Sequence, residues 1–114
     1  MKPVFVFGSN LAGRHEKGSA LEALRHQGAK YGQGEGRQGN SYAIPTKDRK
    51  LNVLYLSEIE THVNTFIFYA ESHPELAFNI VKIGCGLAGY NEDQISSLFK
   101  NVPPNCNLPD GWRI

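Results

Sequence analysis

Long hydrophobic runs are missing from this chain. The longest, such as "PVFVFG" at 3–8, are far too short to span a bilayer. A charge excess is missing too: 12 Lys and Arg stand against 11 Asp and Glu, for a net charge of +1. No strong field therefore draws in nucleic acid or an acidic membrane surface. Cysteine is scarce. Cys85 and Cys106 make no disulfide framework, and no C-x-x-C or Cys/His cluster suggests zinc. Neither a metal nor a cofactor is expected. The N-terminus carries one Lys and then strand residues, without the apolar core and cleavage site of a signal peptide, so the expected location is the cytoplasm.

What the chain does have is glycine. Twelve glycines cluster mainly in 8–39 and 84–89, where they punctuate particular loops. At 114 residues, 40% hydrophobic and 20% charged, the composition suits one soluble domain with a real core. "PVFVF" at 3–7, uncharged and bounded by Gly8, predicts a central strand covered on both faces. Residues 18–27 predict a helix, with Ala20, Leu21 and Leu24 inward and Gly28 as its stop. Four glycines in 31–40 argue for a loop that is neither helix nor strand. "SYAIPT" at 41–46 reads as a strand ending at Pro45, and "LNVLYL" at 51–56 as a weaker strand or extended lead-in.

Ser57 with Glu60 three later predicts a capped helix start. Ile59, Val63, Phe66, Ile67 and Ala70 then form one helical stripe, and Pro74 stops the helix. Phe66, Phe68 and Tyr69 together cover more than one stripe. A strand over 75–84 follows. A last helix is capped by Asn91 and runs to about Lys100, with Ile95, Leu98 and Phe99 inward. The tail holds at most one edge strand, and Trp112 is expected to fold back onto the body. This alternation of strands and helices predicts an α/β layered fold with a largely parallel sheet.

Two hexapeptides share four of six residues: "GSNLAG" at 8–13 and "GCGLAG" at 84–89. Each follows a predicted strand. Ligands of open α/β sheets sit beyond the carboxyl ends of the strands, and helix starts there attract anions. Two such turns side by side would cradle a diphosphate, with Arg14, His15 and Lys17 after the first turn and Tyr90 after the second. Neither turn matches the P-loop pattern, and the G-x-G-x-x-G at 34–39 opens no helix. Lys47 lies at a strand end, where functional side chains project. Asp48, its neighbour, is suited to capping or pairing. His26, His62 and His73 read as surface residues, and Cys85 as a small buried residue.

"IGCGLAGY" at 83–90 resembles the phosphate loop of macrodomains, especially the compact type typified by the terminal ADP-ribose protein glycohydrolase. "HEKGSALEA" at 15–23 resembles the stretch that opens the first helix of that type, and "YAIPTK" at 42–47 the strand carrying its catalytic lysine. The three appear in the same order and cover most of the chain. "FGSNLAGRH" and "SYAIPTK" are also similar to small macrodomain-like proteins of phages and prophages.

The resemblance implies a compact, macrodomain-like three-layer fold, with a mixed, largely parallel sheet between helices. It also implies ADP-ribose or a related NAD-derived nucleotide as ligand. By position it places Gly84, Cys85, Gly86, Leu87, Ala88, Gly89 and Tyr90 at the diphosphate and distal ribose. Asn10 falls near the distal ribose, with Gly8, Ser9, Gly13, Arg14 and His15 around it, and Gly18, Ser19 and Ala20 along the pyrophosphate. Lys47 matches the lysine that attacks the ribose anomeric carbon. The hydrolase type carries an Asp after "GCGL" where this chain has Ala88. Asp48, Glu35 and Glu16 are the candidates to replace it. Three readings follow: a nucleotide-binding module, in a phage setting acting in the host cytoplasm against a defence signal; an ADP-ribosyl glycohydrolase or deacylase using Lys47; and a ligand-free interaction domain.

Overall fold

A computed structural model describes residues 2–84 and 89–112. The elements run β1 (Val4–Asn10), α1 (Gly18–His26), β2 (Gly36–Gln38), β3 (Ser41–Lys47), α2 (Leu56–Ser72), β4 (Phe78–Ile80), α3 (Glu92–Ser96) with a following 3-10 turn (Ser97–Phe99), and β5 (Cys106–Asn107). The five strands form one sheet in the order β2-β3-β1-β4-β5. All neighbours are parallel except the β2–β3 pair.

The central β1 sorts its side chains by period two. Val4 and Val6 join Tyr42, Ile44, Phe78 and Ile80 under α2 and α3, in a core completed by Phe66, Ile95 and Phe99. Phe7 turns to the other face and packs with Ala43 of β3 and with Ala20 and Ala23 of α1. The result is a three-layer α/β fold, helices on both faces of the sheet. Within the larger core, burial pushes the Tyr42 phenol up to about 12, helped by the nearby Glu35 and Tyr69.

The α2 stripe is the predicted one: Ile59, Val63, Phe66, Ile67 and Ala70 are its buried residues. Phe68 stands outside it, 72% exposed. The cap differs. The helix starts at Leu56, with Tyr55 rather than Ser57 as N-cap, and the Glu58 carboxylate accepts from the Tyr55 N–H at 3.0 Å. Asn91 does cap α3, accepting from Gln94 N–H at 2.9 Å. Trp112 does fold back, against Phe99 and onto Glu92. In α1 the buried positions are Ala20 and Ala23, with Leu21 and Leu24 half-buried, because a helix pressed against the sheet needs small residues at the contact.

Several strand expectations change. β1 continues through Asn10, so half of the first hexapeptide is strand and its turn is confined to residues 11–13. β2 forms inside the glycine stretch, its three residues held by pairing with Ser41, Tyr42 and Ala43. β3 runs past Pro45 to Lys47. Proline is tolerated there because β2 ends opposite Ala43, and the β1–β3 register shifts between Ser9 and Asn10 beside it. The stretch at 51–56 contributes one isolated bridge, Lys47 to Val53, and the strand expected over 75–84 is limited to Phe78–Ile80. No helix among the described residues is long and apolar enough to cross a membrane.

Candidate functional site

β1 and β3 deliver their last residues to one place. Ser9 and Asn10 end β1, and Thr46 and Lys47 end β3 alongside them. The chain then turns at 11–13 and runs to the start of α1. Asn10 shapes this passage: its Oδ1 accepts the Arg14 N–H at 2.9 Å, and its Nδ2 donates to the Arg14 carbonyl at 3.0 Å. With both ends of its amide engaged, Asn10 acts on the loop backbone.

His15 turns inward and is fully buried. Its Nε2 lies 3.0 Å from the Gln33 carbonyl and 3.1 Å from Gln38 Oε1. Both are acceptors, so Nε2 carries the proton. Gln38 Oε1 also accepts the Lys30 N–H at 2.8 Å, which fixes the orientation of that amide. The His15 ring packs edge-on against Phe7, centroids 5.2 Å apart. Because His15 points in, Arg14 and Glu16 on either side of it point out.

The turn is braced from behind by glycine. Gly32 N–H donates to the Gly13 carbonyl at 2.8 Å, and the Ser9 hydroxyl donates to the Gly34 carbonyl. A Cβ on Gly13 would stand 2.7 Å from Gly32 Cα, and one on Gly34 would stand 2.8 Å from the Leu11 carbonyl oxygen. Backbone lies directly on backbone, so no side chain fits. The glycine stretch is therefore a buttress behind the turn.

In front of the turn lies a cleft of about 180 Å³. Gly8, Ser9 and Asn10 of β1 line it, with Thr46 and Lys47 of β3. The loop adds Arg14, Glu16 and Lys17, and α1 adds Ala20; Leu51 closes one side. Leu51 reaches it from residues 48–52, whose turn is held by the Asp48 carboxylate accepting the N–H groups of Lys50 and Asn52 at 2.8 and 2.9 Å. Three cations face one carboxylate. The cleft also borders the start of α1, which has no side-chain cap at Lys17 and no acidic residue in its first turn. Its free N–H groups add a positive dipole end. Among the described residues the Lys47 ammonium has neither a hydrogen bond nor an ion pair.

Gly84, which opens the second hexapeptide, approaches the end of β1. A Cβ on Gly8 would lie 3.7 Å from the Gly84 nitrogen, and one on Gly84 would lie 3.7 Å from Thr46 Cγ2. Cys85, Gly86, Leu87 and Ala88 fall outside the described residues. Tyr90 closes the loop, its N–H donating to the Gly84 carbonyl at 3.1 Å and its hydroxyl to the Leu54 carbonyl at 2.6 Å.

Of the residues singled out in the sequence, Gly8, Ser9, Asn10, Arg14, Glu16, Lys17, Ala20 and Lys47 line the cleft. Gly18 and Ser19 sit between Lys17 and Ala20 at the helix start. Gly13 and His15 stand behind the turn, and Tyr90 is spent on Leu54. Of the candidate bases, Asp48 is committed to its turn and Glu35 to His62, 2.7 Å away on α2, which leaves Glu16 beside the cleft. Thr46 and Leu51 were not singled out. Thr46 carried a signal, one residue before a lysine at a strand end; Leu51 carried none. Among the described residues no group of three His, Cys, Asp or Glu side chains is gathered to hold a metal ion. No family model, curated protein or solved structure matches the chain.

Proposed function

We propose that this chain is a macrodomain-like binding module for ADP-ribose or a related NAD-derived nucleotide, holding its phosphate in the cleft at the carboxyl ends of β1 and β3. One observation carries the reading: Arg14 and Lys17 from the loop before α1 and Lys47 from the end of β3 converge on a cleft beside the uncapped start of α1. Cations held next to free helix N–H groups suit a phosphate. The location agrees with where open α/β sheets bind ligands. Gly84, the first residue of the second hexapeptide, lies beside Gly8 of the cleft, which supports the reading.

Calorimetric titration with ADP-ribose, with AMP and ribose 5-phosphate as controls, tests it. The expected result is micromolar binding of ADP-ribose, weakened about tenfold by each of Arg14→Gln and Lys17→Gln, the loss of about one charge-assisted hydrogen bond. No heat with any of the three on folded protein overturns it.

Lys47, without a side-chain partner among the described residues, favours a second reading, in which its amine, once its proton has passed to a base such as Glu16 or to solvent, attacks the ribose anomeric carbon and displaces the group attached there. A Lys47–ribose adduct trapped by borohydride and seen by mass spectrometry supports it. Undiminished turnover by Lys47→Ala removes Lys47 from the chemistry.

A further inference from the structure

Glu16 is out of place in a cleft built only for an anion. It is the one carboxylate among the charged side chains lining the cleft, beside Arg14, Lys17 and Lys47, and at close range it repels phosphate. Its position is fixed from two directions. The buried His15 before it sets the loop so that Glu16 faces outward. Tyr31 then donates its hydroxyl to Glu16 Oε2 at 3.0 Å, and this hydrogen bond is the leading cause of the raised Tyr31 pKa. Among the described residues Oε1 has no hydrogen-bond partner.

An ionised carboxylate only accepts hydrogen bonds, so the ligand group opposite Glu16 must be a donor. Size narrows that donor. A cavity of about 150 Å³ holds a single benzene-sized ring. The cleft, at about 180 Å³, thus has room for one ring close to the phosphate. The ring that sits next to phosphate and carries paired donors is a ribose with free neighbouring hydroxyls. Building on the phosphate reading above, we infer that Glu16 is the specificity residue of this cleft: it accepts from the vicinal hydroxyls of a ribose phosphate and rejects sugars that lack them or carry phosphate there. Tyr31 is its positioning residue.

The test compares ribose 5-phosphate with 2-deoxyribose 5-phosphate by NMR titration of the wild type, Glu16→Gln and Tyr31→Phe, with inorganic phosphate as a third probe and thermal melting as a check on folding. The wild type should prefer the ribose compound about tenfold, the scale of one hydrogen bond to a charged group. Glu16→Gln should erase most of that preference, while binding the deoxy compound and phosphate at least as tightly as the wild type. Tyr31→Phe should reduce the preference without abolishing it. If Glu16→Gln changes all three probes by one common factor, or the wild type binds phosphate but shows no preference between the sugars, the assignment of Glu16 is overturned and the phosphate cleft stands. If the folded wild type binds none of the three, the assignment of Glu16 is overturned, and the ADP-ribose titration above decides the phosphate reading separately.

Discussion

Gly34 and Gly32 separate two reasons for a glycine, and substituting each with alanine tests the buttress behind the candidate site. Gly32 has φ +95 and open space where a Cβ would go. Gly32→Ala therefore costs only the backbone strain of a left-handed conformation, about 1–2 kcal/mol. Gly34 has the opposite problem. Its backbone conformation suits any residue, but a Cβ would stand 2.8 Å from the Leu11 carbonyl oxygen and closer still to that of Asn10. Ordinary contact begins near 3.4 Å, so both carbonyls must retreat by roughly half an ångström or more against a stiff interior.

Overpacking of this kind costs ~1–3 kcal/mol. Retreat also strains the bond from Gly13 N–H to Asn10 O, 2.9 Å, and the Ser9 hydroxyl's bond to Gly34, at about 1 kcal/mol each. The total is about 3–5 kcal/mol. At about 4 °C per kcal/mol for a domain of this size, Gly34→Ala should lower Tm by about 12–20 °C and Gly32→Ala by about 4–8 °C. Because the displaced carbonyls belong to the turn that carries Arg14 and Lys17 toward the cleft, Gly34→Ala should also weaken phosphate binding while Gly32→Ala leaves it unchanged. Differential scanning fluorimetry and a phosphate titration read both effects. Equal melting of the two variants, or full phosphate affinity in Gly34→Ala, refutes the buttress.

Two further outcomes follow from contacts elsewhere. His15→Ala should cost about 2–4 kcal/mol in urea unfolding, since it opens a cavity and removes the Nε2 donor; His15→Phe should cost less, because it keeps the ring against Phe7 and because Gln33 O and Gln38 Oε1 each retain another donor. Glu92 should titrate below its ordinary 4.5, since Trp112 Nε1 and then Lys82 hydrogen-bond its carboxylate; an NMR titration should show its midpoint rising in Trp112→Phe. A depressed folded pKa stabilises above the unfolded value, so the charge-dependent part of the stability gap between wild type and Trp112→Phe should hold at pH 7 and vanish as pH falls through the folded pKa of Glu92.

The sequence announced elements whose own residues decide their state. The α2 stripe is legible because five apolar residues recur at helical spacing, and the first half of β1 because Val4, Phe5, Val6 and Phe7 are all apolar. β2 was hidden: Gly36, Arg37 and Gln38 have no strand character of their own and take it from Ser41, Tyr42 and Ala43 opposite. The Asn10, Arg14 and Lys47 part of the cleft was legible from strand ends and neighbouring charge. Leu51 was not, because the turn held by Asp48 brings it there. Nor was the burial of His15, a polar residue in a glycine-rich stretch whose acceptors lie 18 and 23 residues away.

The sheet is also guarded against its own kind. Its two outermost strands are among its shortest, three residues in β2 and two in β5. Where β3 outruns β2, the strand carries Pro45, which has no N–H to offer a neighbour, and the Leu54 N–H occupies the Thr46 carbonyl at 2.9 Å. A strand from another molecule seeking a long row of free backbone groups finds only brief ones on either side. With a net charge of only +1, the brevity of these edges, rather than charge repulsion, is what limits strand pairing between copies.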